Sequence, residues 1–170
     1  EMDLDLAQKA VALKPTDAKI QTRLGEAAGA AMKGLSPLKQ FPLAREMKKA
    51  LETAVAASPT DPEANDLLLR YYLAAPGLAG GSVSKAKEIA QRFSQVKPAD
   101  AQVFQALIAI YTKDYEGAKA LLQRAISTDP HLLVAYRELV GLHLMQKPQA
   151  LDAAAGCCRK ALEANPTAIE

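Results

Sequence analysis

Five prolines recur along the chain and constrain its fold more than any other feature. They are Pro15, Pro59, Pro98, Pro130 and Pro166, spaced 44, 39, 32 and 36 residues apart. Each follows a segment rich in alanine with a helical pattern. Because proline lacks an N–H group and breaks helix interiors, a recurrent proline marks the stop between two helices. The spacing therefore predicts a series of repeated helical segments.

The segments that follow the prolines share a pattern of buried-type residues. Their side chains recur at i, i+3, i+4 and i+7, which is one face of a helix. The four stripes are Gln21, Leu24, Gly25 and Ala28; Asn65, Leu68, Leu69 and Tyr72; Phe104, Leu107, Ile108 and Tyr111; and Tyr136, Leu139, Val140 and His143. A second stripe of small residues precedes each proline, as at Ala118, Leu122 and Ala125. Neither helix of a pair buries its stripe alone, so the pairs are expected to stack.

Aspartates mark the predicted starts of the first helices. Asp17, Asp61 and Asp100 each lie two residues after a proline, where a carboxylate caps the exposed N–H groups of the next helix. In the last repeat Leu132 takes this position, so the sequence predicts a less well capped helix there.

The stretch AQVFQALIAIYTKDYEGAKALLQRAISTDP, from Ala101 to Pro130, resembles a tetratricopeptide repeat (TPR). It contains, in order, the aromatic residue, the leucine, the tyrosine, the Asp-Tyr turn, the alanine and the closing proline of that family. The resemblance implies an all-α fold, a right-handed superhelical solenoid of stacked antiparallel helix pairs. The predicted single domain, 1–170, divides into a half repeat 1–16, repeat 1 at 17–60 with an insertion 33–42, repeat 2 at 61–99 with a loop 74–84, repeat 3 at 100–131 and repeat 4 at 132–166.

The two insertions carry a second resemblance. The segments LAREMKKALETAVAASPTDPEA and YYLAAPGLAGGSVSKAKE are similar to a group of uncharacterised bacterial TPR proteins, many of them exported. This similarity implies a bacterial source and favours a periplasmic or exported location, with a cytoplasmic one left open. The chain begins inside a predicted helix, and we expect the natural protein to extend beyond one or both ends.

Composition and motifs exclude several classes of function. A formal net charge of +2, without a basic run that interleaves aromatics, gives no basis for nucleic-acid binding. No stretch of about 18 apolar residues predicts a transmembrane helix. The glycine-rich segment 77–82 lacks the lysine spacing and the preceding strand of a phosphate-binding loop, so a helix connection is the simpler interpretation.

Catalytic and metal-binding motifs are also missing from the sequence. The two histidines form no triad or H-E-x-x-H signature. Cys157, Cys158 and His143 give three candidate ligands without a fourth, and structural zinc needs about four. Cys158 and His143 fall on the apolar stripes, which predicts that both are packing residues. The sequence therefore predicts no catalytic residue, metal or cofactor, and a protein that is not an enzyme.

The TPR resemblance implies that the first helix of each pair lines a concave groove. The predicted groove residues are Lys19, Thr22, Glu26, Glu63, Asp66, Arg70, Gln102, Gln105 and Arg137. Their mixture of amides, arginines and acids is suited to hydrogen bonding with a peptide. The predicted function is a protein- or peptide-binding scaffold with a partner of unknown identity.

Two alternatives stay open from the sequence. The chain could self-associate as a structural module, because open solenoid ends expose apolar faces, with the Tyr71-Tyr72 pair and the insertion adding contacts. It could instead bind a small ligand in a cavity between the inserted loops, or act as an accessory subunit of a larger complex.

Overall fold

The computed structural model describes residues 3–145 and 150–166. Within these residues the chain is all-helical and contains no strand. The helices are α1 (Leu4–Leu13), α2 (Ala18–Ala31), α3 (Pro37–Ala57), α4 (Pro62–Ala74), α5 (Val83–Ser94), α6 (Pro98–Tyr111), α7 (Tyr115–Thr128), α8 (Leu133–Met145) and α9 (Leu151–Ala164), with a 3-10 turn at Gly77–Ala79. The all-α prediction is confirmed.

The chain forms two compact units, Glu1–Ala86 and Lys87–Glu170. In the first unit α2 packs against α1, α3 and α4, and α3 also contacts α4. In the second unit α6 packs against α7 and α8, and α8 packs against α7 and α9. The helices that follow the turn prolines therefore contact one another within each unit, as α2 with α4 and α6 with α8. The predicted repeat boundaries remain predictions.

The predicted stripes of the first helices contribute to the core of the described residues. All four members of the Gln21 and Asn65 stripes are buried, as are Phe104, Leu107 and Ile108. Burial of apolar side chains is the main stabilising contribution in such a fold. In the fourth stripe Tyr136, Leu139 and His143 are buried, whereas Val140 is half-buried and Tyr111 of the third stripe is 52% exposed at the end of α6.

Two turns of the first unit are held by a buried amide six residues after the proline. Gln21 Nε2 donates to the carbonyl oxygen of Pro15 at 2.6 Å. Asn65 Nδ2 donates to the carbonyls of Pro59 at 3.2 Å and Asp61 at 2.7 Å. Because buried polar groups are costly unless bonded, these amides fix the turn against the following helix.

Aspartate capping holds for two of the three predicted sites. Asp17 accepts from the N–H of Ile20, and Asp61 accepts from the N–H of Glu63. Asp100 is not an N-cap, because α6 already begins at Pro98. Proline is favoured in the first turn, where its missing N–H is not needed, so the N-cap is Lys97 and the helix starts three residues earlier than predicted.

The insertion predicted at 33–42 is partly helical. After a short turn with Gly34 at a φ of 75°, α3 starts at Pro37 and continues through Pro42 to Ala57. Gln40 Nε2 donates to the carbonyls of Met32 at 3.3 Å and Leu35 at 2.8 Å, and so ties the new helix start to the end of α2. The insertion therefore lengthens the second helix rather than forming a free loop.

Candidate functional site

In the first unit the predicted groove residues of α2 and α4 share one surface, which we call the unit-1 polar face. Because α2 and α4 are in contact, side chains at helical spacing on each helix lie side by side. The unit-1 polar face consists of Lys19, Arg23, Glu26, Glu63, Asp66 and Arg70. Five of these six were predicted from the sequence.

Arg23 joins the two helices of this face. Its Nη1 donates to Glu26 Oε2 at 2.6 Å and to Glu63 Oε1 at 3.1 Å. The hydrogen bond to Glu26, followed by the charges of Glu26 and Glu63, raises the pKa of Arg23 above its ordinary value. Since all three side chains are substantially exposed, the pairs stabilise the fold weakly. Their effect is to order a charged surface.

Arg23 was missed from the sequence, and Thr22 was named in its place. Thr22 is only 1% exposed and donates to the carbonyl of Ala18 at 2.9 Å, so its side chain is not accessible to a peptide. Neighbouring helical positions differ by about 100°, and the small residues of α2 make its buried stripe wide. A signal was available, because Lys19, Arg23 and Glu26 have the i, i+4, i+7 spacing of one face.

Asp66 and Arg70 form the other end of the unit-1 polar face. Arg70 Nε donates to Asp66 Oδ2 at 2.8 Å. The side chain of Asp66 is 17% exposed, and its Oδ1 is buried with no hydrogen-bond partner among the described residues. A buried carboxylate oxygen without a partner is costly, so Asp66 is held at this position at the expense of some stability.

In the second unit the predicted residues lie on α6 and α8, which are in contact. Gln105 and Arg137 are exposed, and Gln102 is half-buried. Gln102 Oε1 accepts from the hydroxyl of Thr128 at 3.3 Å. Arg137 folds onto its neighbour Glu138, with Nε at 3.0 Å and Nη2 at 2.9 Å from Oε1. This second set is less charged than the unit-1 polar face.

A cavity of about 560 Å³ lies between the two insertions of the first unit. We call it the insertion pocket. It is mostly apolar, and its lining comes from the ends of α2 and α4, the start of α3 and the 3-10 turn. The lining residues are Gly29, Met32, Pro37, Gln40, Phe41, Ala44, Met47, Arg70, Tyr71, Ala74, Ala75, Pro76, Leu78 and Ala79. Arg70 thus belongs both to the pocket and to the unit-1 polar face.

The second insertion forms a tightly closed wall of this pocket. The hydroxyl of Tyr71 donates to the carbonyl of Ala79, and the N–H of Ser82 donates to the carbonyl of Tyr72 at 2.8 Å. Gly80 has a φ of 90°, which favours glycine, and a Cβ on Gly81 would overlap the carbonyl oxygen of Ala75. The glycine-rich segment is therefore a structural turn.

The suggestion that Tyr71 and Tyr72 add surface contacts is wrong. Both rings are buried, and they pack edge to face with their centroids 6.2 Å apart. Burial raises the pKa of Tyr71, with a smaller contribution from the charge of Glu52. The hydroxyl of Tyr72 donates to Glu52 Oε1 at 2.9 Å, so the polar ends are used inside the unit.

The burial of His143 agrees with the prediction, but the burial of Cys158 does not. His143 is buried, as its stripe predicted, but Cys158 is exposed and Cys157 is half-buried. The packed stripe of α9 therefore includes Ala154 and Cys157 rather than Cys158. Within the described residues, no three His, Cys, Asp or Glu side chains are grouped as metal ligands.

The comparisons with known proteins identify the fold. The structure of TTC0263, a thermophilic TPR protein of Thermus thermophilus, matches 98% of this chain and 83% of its own length, with a TM-score of 0.64 and 21% identity. The fold is that of a TPR protein. MamA structures cover 96% of the chain at 18% identity, with TM-scores of 0.49 and 0.48. No family model and no curated protein matches the sequence.

The TPR-type fold confirms the resemblance drawn from residues 101–130. Among the described residues, none of the helices combines the length and apolar character needed to span a bilayer.

Proposed function

We propose that this chain is a non-catalytic scaffold that binds a protein or peptide along the exposed faces of its first helices. TPR-type folds are in general protein-interaction scaffolds. The observation that supports the proposal most is the unit-1 polar face, where Arg23 bonds to carboxylates from two helices and orders them. An ordered set of donors and acceptors lowers the entropic cost of binding a peptide.

The charge pattern of this face suits an extended or helical peptide with both donors and acceptors. Lys19 and Arg23 alternate with Glu26 and Glu63, so the face has no strong net charge. Such mixed surfaces contribute more to the orientation and selection of a partner than to affinity. The amides and Arg137 of the second unit are available for further hydrogen bonds.

The test is a crosslinking pull-down that uses matched charge reversals. The double variant Arg23→Glu/Arg137→Glu changes one arginine on a first helix of each unit. The control Lys9→Glu/Lys160→Glu makes the same change in net charge on second helices, where both lysines are exposed. Circular dichroism and thermal unfolding establish that both variants are folded.

We expect the parent and the control to capture the same partner and the arginine variant to lose it. Retention of that partner by the folded arginine variant would show that these faces do not carry the interaction.

A further inference from the structure

One face of α3 turns away from both the core of the first unit and the insertion pocket. Its side chains lie at positions i, i+4, i+7 and i+11, which share one side of a helix and extend over about 17 Å. They are Leu38, Pro42, Arg45 and Lys49, and all four are exposed. The side chains of Gln40, Ala44 and Met47, which line the pocket, lie on the opposite side of the helix. We call the exposed set the outer face of α3.

The N-terminal end of the outer face has apolar side chains that face solvent. Leu38 is 86% exposed, and Phe41, one turn further along α3, is 44% exposed at the edge of the insertion pocket. Leu78 lines the same pocket from the second insertion and is 96% exposed. We call these three residues the apolar tip. A group of large apolar side chains with this exposure marks an interaction surface, because it contributes little to the core.

The remainder of the outer face is basic. Arg45 and Lys49 continue it toward the C-terminus of α3, and Lys39 directly follows Leu38. Lys33 lies in the turn before the helix and is also exposed. Within the described part of the chain, no ion pair involves any of these four cations. Their charges are therefore available to an anionic partner.

The other two charged side chains of this segment make contacts elsewhere in the first unit. Glu46 is the single acid between residues 33 and 49, and its Oε1 accepts from Gln8 Nε2 of α1 at 2.8 Å. Lys48 Nζ lies 3.9 Å from Glu52 Oε1, one turn further along α3. The outer face itself therefore has positive charges only.

An anionic lipid surface matches this combination of side chains. Protruding leucine and phenylalanine side chains enter the boundary between headgroups and acyl chains, and neighbouring lysines and arginines bind anionic headgroups. Leu38 and Leu78 project into solvent, whereas a protein interface requires two surfaces of complementary shape. A fluid lipid phase has no such requirement, which favours a membrane over an acidic protein at this position.

From these observations we propose that the apolar tip and the outer face of α3 bind the surface of an anionic lipid membrane. The tip enters the interfacial region, and the cations of the outer face contact the headgroups. This inference goes beyond the proposed scaffold function and uses residues outside the unit-1 polar face. The two activities can therefore be tested separately.

Co-sedimentation of the full chain with vesicles tests the proposal directly. One set of vesicles is phosphatidylcholine alone, and the other contains phosphatidylglycerol as well. We expect binding to the anionic vesicles only, and weaker binding as salt is added, because the cations are exposed and their charges are screened. Equal binding to both sets, or binding to neither, would contradict the proposal.

Two leucines of the first unit provide a matched pair for the apolar tip. Leu38 is 86% exposed and Leu13, on α1, is 84% exposed, so neither substitution disturbs the core. We expect Leu38→Ser to weaken binding to the anionic vesicles about tenfold or more, and Leu13→Ser to leave it unchanged. Unchanged binding of Leu38→Ser would show that the tip does not enter the membrane.

Charge reversals test the basic part of the outer face. Arg45→Glu/Lys49→Glu should weaken binding to the anionic vesicles about tenfold or more. The control Lys9→Glu/Lys160→Glu makes the same change in net charge at other exposed positions and should have a much smaller effect. Thermal unfolding establishes that both variants are folded. Equal losses in the two variants would attribute binding to net charge rather than to this face.

A tryptophan reporter locates the contact. The chain contains no tryptophan, so Leu38→Trp introduces a single fluorophore at the apolar tip. We expect its emission to move to shorter wavelength when anionic vesicles are added, because the indole leaves water. Leu13→Trp serves as the control and should not shift. A bound chain in which the emission of Leu38→Trp is unchanged overturns the proposal.

The outcomes separate this proposal from the scaffold function. Both proposals are supported if Arg45→Glu/Lys49→Glu loses vesicles but keeps the captured partner, while Arg23→Glu/Arg137→Glu does the reverse. If the chain binds no vesicles and Leu38→Ser loses the captured partner, the membrane proposal fails and the tip belongs to a protein interface. Self-association in light scattering that Leu38→Ser removes, without vesicle binding, would overturn it in favour of a second copy.

Discussion

The two units solve the same packing problem at one repeat position in different ways. Six residues after the turn proline, the first unit has the amides Gln21 and Asn65, which bond to carbonyls of the preceding turn. The corresponding positions in the second unit are the aromatic residues Phe104 and Tyr136. Phe104 packs against Phe93 with centroids 4.9 Å apart. A turn can thus be joined to its helix by hydrogen bonds or by ring packing.

The same comparison extends to the surface. The first unit combines the bonded turns with two insertions, an apolar pocket and a charged face that joins two helices. In the second unit α6 and α7 are joined by a short turn, with Lys113 at a φ of 64° and Asp114 capping α7. The charged residues of the proposed binding surface therefore come mainly from the first unit.

The largest loss of stability is expected at Phe104, the aromatic residue six positions after its turn proline. Phe104→Ala removes a buried ring that contacts Phe93 and leaves a cavity, so the free energy of unfolding should fall by about 3–5 kcal/mol. Urea unfolding followed by circular dichroism measures this loss. Leu78→Ala, at an exposed position, should change the same quantity by less than about 0.5 kcal/mol. A similar loss in both variants would contradict the assigned packing.

A smaller loss of stability is expected at Asn65, one of the two amides six positions after a turn proline. Asn65→Ala removes a fully buried amide together with its hydrogen bonds to the carbonyls of Pro59 and Asp61, which should lower the free energy of unfolding by about 1–3 kcal/mol. Urea unfolding again measures the loss. Asn65→Leu fills the space without restoring the bonds and should remain destabilised. If Asn65→Leu is as stable as the parent, packing rather than hydrogen bonding secures this turn.

Two glycines of α2 should respond in opposite directions. A Cβ at Gly25 lies 2.6 Å from Leu51 Cδ2, so Gly25→Ala should destabilise the unit by about 1–3 kcal/mol through overpacking. Gly29 has room, and Gly29→Ala should stabilise it by about 0.5–1 kcal/mol through helix propensity. Thermal unfolding of the two variants beside the parent measures both signs. A gain at Gly25 would mean that α2 and α3 do not approach this closely.

The smallest expected effect is a difference in reactivity between the neighbouring thiols of Cys157 and Cys158, with no change in stability. Burial raises the pKa of Cys157, partly opposed by the charge of Lys160, whereas Cys158 is exposed. Because the thiolate is the reactive form, iodoacetamide at about pH 8 should modify Cys158 several-fold faster. Peptide mass spectrometry over time gives both rates, and Cys157→Ser serves as the single-thiol control. Faster modification of Cys157 would place that residue on the outside of α9.

Much of the fold follows from the sequence because proline and helix periodicity act locally. The stripes led by Gln21 and Asn65, and the caps Asp17 and Asp61, depend on residues within one or two turns of each other. Where a prediction was wrong, a second local signal of similar strength competed with the one on which the prediction was based. Pro98 begins α6 before Asp100 is reached. Around Thr22 and Arg23 the small residues of α2 widen its buried face, so the spacing did not show which of the two side chains is exposed.

The candidate sites were less accessible to sequence reasoning, because they depend on contacts between distant segments. Five members of the unit-1 polar face were found by spacing, but the bridging role of Arg23 requires Glu63, forty positions away. A cavity between the inserted loops was one open alternative. The sequence does not show that the start of α3 and the 3-10 turn line the same cavity, because the two segments are about forty residues apart.

The turn at 76–82 has a consequence for how this protein can change. Gly81 has no room for a side chain and Gly80 has a φ that other residues resist, whereas the side chain of Leu78 is 96% exposed at the edge of the insertion pocket. The segment is thus a rigid frame with one replaceable position at its tip. Substitutions at 78 can be screened as a library without loss of the scaffold, which makes this a natural place to redesign partner preference.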